Sequence, residues 1–282
     1  MLEVPGQFRA IFYMTIIASW VTLDDKVGAK EVSSIYIVSD SRISWPDGSC
    51  WDHARKVFNF TNHPDILGYS GDVLFPSQVL SQILSLGDAG LLFDKKDSFN
   101  MKSDAIFKAI TRLFGDYPKS KLFPSFTIMH YGKQIGGDFG GRIYRWEKAR
   151  GWAVPEPLPI PEHTQLCVCV GSGSAEFMIP FNRKHKPAYG PVTSKDIYQQ
   201  FVETLCSIKN PSCGGPPQLA GVFRNDFSQS FGIISNEKRY VLGLEIENDA
   251  NLLSVEWRNE LFERCDPITK ERFASAKRQP KV

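Results

Sequence analysis

The first third of the chain carries short apolar runs, rich in β-branched and aromatic residues, that alternate with polar turns. "FRAIFYMTIIASWVTL" reads as one long strand or as two strands that meet near Met14. "IYIVSDSR" predicts the next strand, with "DDKVGAKEVSS" as the turn between them. "KVFNFTNHPDILGYSGD" predicts two further strands around "NHPD". This part of the chain is therefore predicted to be mostly β-structure.

Helical periodicity begins in the second third. "PSQVLSQILSL" starts with a proline at a helix-entry position and repeats apolar residues at intervals of three and four. "SDAIFKAITRLFGDY" predicts a helix with Ser103 as its N-cap, and "AEFMIPFN" predicts a short helix. "SKDIYQQFVETLCSIKN" predicts a further helix, capped by Ser194.

Strand patterns return between and after these helices. "FPSFTIMHYGKQIGGDFGGRIYRWE" predicts two strands around a glycine-rich turn, and "QLCVCVGSGS" predicts a strand that ends in small residues. "PPQLAGVFRNDFSQSFGIIS" and "RYVLGLEIE" also predict strands, whereas the charged segment from Trp257 predicts a helix that frays after Ala274. Such segregated runs favour an α+β fold of antiparallel sheets with helices packed outside them. A doubly wound parallel sheet is disfavoured, because strict βαβ alternation is absent.

Composition and charge narrow the class of protein. The 282 residues are 42% hydrophobic and 12% aromatic, enough for the core of one large domain. A net charge of +2 gives no reason to expect nucleic acid or an anionic membrane as a partner. The apolar run 10–21 is too short to cross a bilayer and lacks a basic segment before it. A secreted protein cleaved near 18–20 is therefore the least favoured of three alternatives.

Six cysteines occur at irregular spacing and without a CxxC motif, which favours reduced thiols in a cytoplasmic protein. Cys167 and Cys169 lie two residues apart on a predicted strand, so they are predicted to share one face. No matching Cys/His pair stands elsewhere. Buried apolar cysteines are therefore favoured over a zinc site.

Common cofactor and hydrolase motifs are not matched. In "GSGSAE", Glu176 stands where a dinucleotide-binding loop needs a third glycine, and no Walker lysine follows either glycine cluster. "GGDFGG" lies between two predicted strands, so a hairpin turn explains it. The five histidines form no HExxH motif, and no GxSxG serine elbow is present. We therefore expect no cofactor and no metal.

An ordered set of polar and small residues remains. Thr15 stands at the start of a predicted strand, "SDSR" places Asp40 and Arg42 at the end of the next, and Lys56 follows Asp40 by sixteen residues. Small residues follow in "GYSGD", "GSGS" and "KNPSCGG". Each piece alone has an ordinary explanation, because a D-x-R pair is often a surface ion pair and a lone lysine is often solvated.

Taken together, these residues resemble the proteasome β-subunit superfamily of N-terminal-nucleophile hydrolases. "MT" and "VSDSR…RKV" are most similar to its bacterial branch, which includes the HslV peptidase and the Anbu family, and the resemblance covers 14–247. It implies a four-layer αββα sandwich of two antiparallel sheets. It divides the chain into an N-terminal extension (1–14), a proteasome-like domain (15–250) and a charged C-terminal tail (251–282).

The resemblance also implies a threonine-type peptidase or amidohydrolase. Thr15 would be the nucleophile, and its free α-amine, with an ordinary pKa of about 7.7–8.0, would be the base. The Lys56 ammonium would disfavour protonation of that amine, and Asp40 would hold Lys56 charged and oriented. Arg42 would help to fix the acidic loop. The expected substrate is a peptide or protein.

Further residues and partners follow from the same resemblance. The backbone N–H near Gly71 would donate to the oxyanion of the tetrahedral intermediate, and Ser172 matches a serine beside the amine. Two positions depart from the family pattern: Asn210 stands in place of an aspartate and Cys213 in place of a serine. Self-assembly into a homo-oligomeric ring is expected, and an ATPase partner is left open.

Residues 1–14 leave two alternatives, because Met14 stands where self-processing precursors have glycine. Translation could begin at Met14, or the segment could be removed, and either event would expose the amine of Thr15. Otherwise the extension stays, Thr15 is an internal strand residue, and the protein is a non-catalytic structural or binding subunit of the same fold. The exposed, active enzyme is the favoured hypothesis.

Overall fold

The computed structural model describes residues 15–24, 31–118, 124–185, 191–247 and 251–276. The strand prediction for 8–14 lies outside these ranges. Four α-helices are present in them: α1 (Leu74–Asp88), α2 (Phe99–Gly115), α3 (Ser174–Lys184) and α4 (Ser194–Ser207). The strands are β1 (Ile16–Asp24), β2 (Glu31–Ser39), β3 (Ile43–Ser44), β4 (Cys50–Trp51), β5 (Val57–Asn59), β6 (Asp65–Gly71), β7 (Ser125–Lys133), β8 (Phe139–Glu147), β9 (Gly151–Trp152), β10 (Glu156–Pro157), β11 (Gln165–Gly171), β12 (Gln218–Phe223), β13 (Phe227–Ser230), β14 (Gly232–Ser235), β15 (Lys238–Val241), β16 (Leu244–Glu245), β17 (Trp257–Asn259) and β18 (Arg264–Cys265).

The first sheet has the strand order β11-β1-β2-β12-β13, and every pair in it is antiparallel. Ile17 pairs with Ser39 and Val21 with Ile35, which confirms the predicted antiparallel neighbours. The hairpin is longer than predicted, because β1 and β2 continue into the polar stretch that was assigned to the turn. Polar side chains are compatible with these strand ends, because the last three residues of β1 and the first three of β2 are not fully buried.

The second sheet has the order β10-β8-β7-β6-β5, with β9 beside β8, and it too is antiparallel. Strands β7 and β8 form one hairpin, as predicted from the two apolar runs around the glycine-rich turn. β6 pairs along its whole length with β7, so that Asp65 lies opposite Gly132 and Gly71 opposite Phe126. The two ends of β6 are therefore far apart on the sheet.

The helices and the two sheets form layers, and three apolar cores lie between these layers. Leu80 and Ile110 pack α1 and α2 onto the second sheet. Ile17 and Met129 belong to the core between the two sheets, and Phe201 belongs to the core between the first sheet and helices α3 and α4. The order of layers is helix, sheet, sheet, helix. This confirms the predicted α+β class and the αββα sandwich.

Helix α2 begins earlier than predicted. Its N-cap is Ser98, whose hydroxyl accepts from Met101 N at 3.3 Å, and not Ser103. Ser103 is buried within the helix, and its hydroxyl lies 2.6 Å from Tyr144 Oη. A serine that has a buried partner elsewhere is not available as a cap, which the local pattern could not reveal.

The cap of α4 also differs from the prediction by one residue. Thr193, not Ser194, is the N-cap, and it forms a reciprocal capping box with Asp196. The Ser194 hydroxyl instead lies 2.5 Å from Thr22 Oγ1 on β1. Two adjacent capping residues are equivalent in sequence, and the tertiary contact to β1 selects between them.

A third sheet has the order β16-β15-β14-β17-β18, and its strands come after those of the sandwich in the sequence. The helix predicted from Trp257 is wrong, because Trp257–Asn259 form β17 and pair in parallel with β14. The Trp257 ring lies against Gly232, and its indole N–H donates to Leu252 O at 2.7 Å. Local charge spacing suggested a helix, but burial of one large aromatic side chain and the pairing with β14 determine the observed structure.

Cys167 and Cys169 do not share a face, contrary to the prediction. A register shift between Ser19 and Trp20 leaves Cys167 without a paired residue on β1. As a result, Cys167 packs toward the core between the sheets and Cys169 toward the helices.

In the described ranges, no group of three or more His, Cys, Asp or Glu residues could hold a metal ion. None of the helices there is long and apolar enough to span a membrane.

The six thiols are expected to differ sharply in reactivity. Cys50 and Cys206 are exposed, whereas burial raises the pKa of Cys167 and Cys169 to about 12 and that of Cys213 and Cys265 to about 11. Dithionitrobenzoate at pH 7.5 should therefore titrate two thiols rapidly in the native protein. Cys167 and Cys169, which are partly exposed, should react slowly because their pKa is raised, and the buried Cys213 and Cys265 should react only after unfolding in guanidinium.

A protein in which both exposed cysteines are replaced by serine is the control for this assignment. It should show no rapid thiol and an unchanged thermal midpoint. Rapid reaction of Cys213 or Cys265 in the native protein, identified by mass spectrometry of the labelled peptides, would contradict their burial.

Candidate active site

Thr15 directly precedes β1 and is fully buried. Its Oγ1 has no hydrogen-bond partner within the described residues, and its backbone φ is 133°. Positive φ is a genuine outlier for a β-branched residue, with a typical cost of about 1–3 kcal/mol. The carbonyl oxygen of Thr15 accepts from Gly173 N at 3.5 Å. Thr15 is thus held in a strained conformation, with a buried hydroxyl that nothing in this part of the chain engages.

Asp40, directly after β2, is the centre of the hydrogen-bond network and has no exposed surface. Its Oδ1 accepts from Ile16 N at 3.2 Å and from Lys56 Nζ at 2.7 Å. Its Oδ2 accepts from Gly214 N at 3.1 Å and from Arg42 N at 3.3 Å. A carboxylate has about four acceptor positions, so these donors satisfy it and fix it next to the start of β1.

Lys56 precedes β5, and its side chain has no exposed surface. Its ammonium donates to Asp40 Oδ1 at 2.7 Å and to the Arg42 carbonyl at 2.5 Å, which engages two of its three donors. The predicted contact with Asp40 is therefore present. The Thr15 hydroxyl is not among the acceptors of Lys56 in the described residues. The two are linked through Asp40, which also binds Ile16 N.

The Arg42 side chain has a partner that the sequence did not indicate. Its guanidinium pairs with both oxygens of Asp52, at 2.6 and 2.8 Å, rather than with Asp40. This bidentate pair raises the pKa of Arg42 and lowers that of Asp52. The guanidinium also lies so close to Gly214 that a Cβ there would overlap it. Arg42 therefore joins the segment after β4 to the loop that carries Gly214.

Gly71 ends β6 with a φ of 95°, and a Cβ at this position would overlap the Ser125 carbonyl. Only glycine fits this backbone without strain. Two residues earlier, Tyr69 N donates to the Lys56 carbonyl at 3.1 Å, so the end of β6 lies against the Lys56 segment. The role of Gly71 as an oxyanion donor stays a prediction.

Ser172 lies beside Thr15, as the resemblance implies. Its hydroxyl donates to the Thr15 carbonyl at 3.5 Å and lies 3.3 Å from Cys213 Sγ. Burial, with a smaller contribution from the Asp40 carboxylate, raises the pKa of Cys213 to about 11. The side-chain oxygen of Asn210 accepts from Ser212 N at 3.0 Å. At neutral pH neither Cys213 nor Asn210 supplies a negative charge near Thr15.

Gln218 is a further buried member of this group and was missed in the sequence. It begins β12, and its side chain contacts the segments that carry Asp40 and Lys56. No motif marks it, because a glutamine at the start of an apolar strand is usually a surface residue. Asp52 was missed for a related reason, since only the folded hairpin brings it to Arg42.

Comparison with known proteins gives matches among solved structures only. No protein-family model matches the sequence, and no curated protein matches it. Anbu (ancestral β-subunit) from Yersinia bercovieri is similar over 84% of this chain and 90% of that chain, with 13% identity and a TM-score of 0.51. A mutant of Anbu from Hyphomicrobium sp. strain MC1 matches 76% of this chain and 87% of its own, with 12% identity and a TM-score of 0.49.

At this level of identity, the similarity to the Yersinia protein establishes the fold. The described part of this chain has two antiparallel sheets packed between outer helices. The chain therefore has the N-terminal-nucleophile hydrolase fold of a proteasome-like β-subunit such as Anbu.

Proposed function

We propose that the protein is a threonine-type N-terminal-nucleophile peptidase or amidohydrolase that acts once Thr15 is the first residue of the chain. The observation that carries this proposal is the Thr15 hydroxyl, which is buried without a partner in the described residues, one residue before the Ile16 N–H that binds Asp40 of the Asp40–Lys56 ion pair. An isolated buried hydroxyl usually costs stability, so its position calls for a functional reason.

The chemistry needs a base that is close to the hydroxyl. A free α-amine on Thr15 would accept the hydroxyl proton as Oγ1 attacks the substrate carbonyl, and would return it to the leaving amine. The positive charge of Lys56 would disfavour protonation of the amine. Asp40 binds both Lys56 and the Ile16 N–H, and so fixes the lysine relative to the start of β1. The Gly71 N–H would bind the oxyanion, and Ser172 would orient Thr15.

The conformation of Thr15 supports removal of the residues before it. A φ of 133° exists only while a peptide bond joins Thr15 to the preceding residue. Loss of that bond removes the torsion, and with it a strain of about 1–3 kcal/mol. The same event creates the amine that the mechanism requires.

The substrate and the assembly follow from the same proposal. A nucleophile of this kind cleaves amides, so the proposed substrate is a peptide or protein. The fold similarity to a protein described as an ancestral β-subunit supports assembly with other subunits, and a ring of identical subunits in the cytoplasm is part of this proposal. An ATPase partner would deliver substrate if the ring encloses the sites.

A second candidate is a non-catalytic subunit of the same fold, used as a scaffold or binding partner. Two observations favour it. Thr15 has no exposed surface when residues precede it, and Asn210 and Cys213 replace the residues that the family carries near the amine. In that case the Asp40–Lys56 pair would serve only to hold β1 and β2 together.

Mass spectrometry of the N-terminus of the native protein, combined with labelling, separates the candidates. A peptide epoxyketone bonds to both a hydroxyl and an adjacent free amine, so it should modify only chains that begin at Thr15. We expect Thr15 at the N-terminus and one adduct per chain. An N-terminus at Met1 without an adduct would favour the scaffold, and cleavage near 18–20 would favour a secreted protein.

A further inference from the structure

The Gln218 side chain is fully buried between two segments of the candidate site. Its Nε2 donates to Asp40 O at 3.1 Å, to Ser41 Oγ at 2.8 Å and to Ala54 O at 2.6 Å. Its Oε1 accepts from Lys56 N at 3.0 Å. An amide group has only two N–H donors, so one of them is shared between acceptors. All four partners belong to the two segments that hold the ion pair.

These contacts act on the backbone of both charged residues. The Asp40 carbonyl and the Lys56 N–H are each bound by the same amide, which fixes the two main chains relative to each other. One backbone hydrogen bond also joins these segments, from Ala54 N to Ser41 O at 2.9 Å. Ser41 is held a second time, because its hydroxyl donates to Pro216 O at 2.6 Å. Gln218 thus links the ends of three chain segments at one point.

The position of Gln218 excludes direct action on a substrate. It has no exposed surface, and its amide is occupied by protein partners. Any influence on turnover must therefore pass through Asp40 and Lys56. A displacement of about 1 Å in such a pair can cost about 100-fold in rate.

We propose that Gln218 is a positioning residue, which sets the separation of Lys56 and Asp40 and so the placement of the ammonium beside Thr15. Its kinetic consequence rests on the proposed hydrolase function. Its structural consequence, the restraint on the Lys56 backbone, does not.

The test uses two substitutions and one matched control. Gln218→Met keeps the volume but removes every hydrogen bond, and Gln218→Glu keeps an acceptor for Lys56 N while losing the amide donors. Gln200→Met is the control, because Gln200 is also buried but its side-chain amide donates to Thr204 on the same helix. All three are made in the chain that begins at Thr15.

Both Gln218 variants are expected to lose about 100-fold in kcat, with KM changed less than about threefold. Gln200→Met should keep the kcat of the parent protein even if it unfolds at a lower temperature. A rise in KM at constant kcat, or an equal loss of kcat in Gln200→Met, would overturn the proposal.

Hydrogen exchange supplies a measurement that does not depend on activity. In Gln218→Met the Lys56 amide should exchange at least about tenfold faster than in the parent, because its acceptor is gone, while the Ile37 amide in β2 should be unchanged. An unaltered Lys56 amide would overturn the positioning role even in a protein without activity. Rapid exchange with an inactive parent would instead keep the restraint and reject the hydrolase.

Discussion

The Thr15→Ala variant of a chain that begins at Thr15 is expected to lose at least about 10⁴-fold of its peptide hydrolysis. The alanine keeps the α-amine but has no oxygen to attack the carbonyl. Thr15→Ser should keep part of the activity, because a hydroxyl remains at the same distance from the amine. Initial rates with a fluorogenic peptide, measured under conditions in which the protein is folded, provide the comparison.

Two controls sharpen this result. A chain that retains residues 1–13 uncut should be inert, because an amide nitrogen cannot accept the proton. Thr111→Ala removes a threonine on α2 whose hydroxyl binds the Phe107 carbonyl within the same helix, and it should stay fully active. Equal activity of the uncut and trimmed chains would refute the N-terminal-nucleophile mechanism.

Lys56→Met is expected to reduce both stability and turnover. It leaves the Asp40 carboxylate buried without its cation, and breaking a buried pair in this way typically costs about 3–5 kcal/mol in the free energy of unfolding. The same change removes the ammonium that would tune the amine. Urea titrations give the stability, and kcat/KM of the folded fraction gives the activity.

Lys102→Met is the matched control for this substitution. Lys102 is also fully buried, and it pairs with Asp65 at the opposite end of β6 from Gly71. We expect a similar loss of stability but an unchanged kcat/KM in the folded protein. Equal losses of activity in both variants would show that turnover follows general stability and not the site.

The contact between Asp40 and Lys56 follows from the family resemblance of "SDSR" and the lysine sixteen residues later, and not from strand periodicity. Asp40 follows β2 of the first sheet and Lys56 precedes β5 of the second, so only the packing of the two sheets brings the two residues together. The position of Thr15 is predictable from the strand pattern, since β1 runs antiparallel to β2 and the start of β1 therefore lies at the end of β2. Where strands pair regularly, the local sequence pattern therefore predicts which residues are neighbours in the folded protein.

Contacts that side chains make outside this regular pairing could not be predicted. Gln218 and Asp52 gain their partners from loops whose paths no periodicity describes. Cys167 changes face because of a bulge, which inserts one residue without a local signal. The helix prediction for Trp257 is wrong because the spacing of charged residues carries no information about Gly232, twenty-five residues earlier, which leaves space for the Trp257 ring.

The donors that surround Asp40 have a consequence for the order of folding. One is the nearby Arg42 N, and the other three come from Ile16, Lys56 and Gly214, at sequence separations of 24, 16 and 174 residues. The contact with Gly214 forms late, since a long loop must close first, and during synthesis it cannot form before that part of the chain has been made. Thr15 leaves the ribosome early, but the Asp40 carboxylate lacks one of its hydrogen-bond donors until Gly214 has been synthesised. A nascent chain would therefore contain Thr15, the proposed nucleophile, long before the hydrogen bonds around Asp40 could all form.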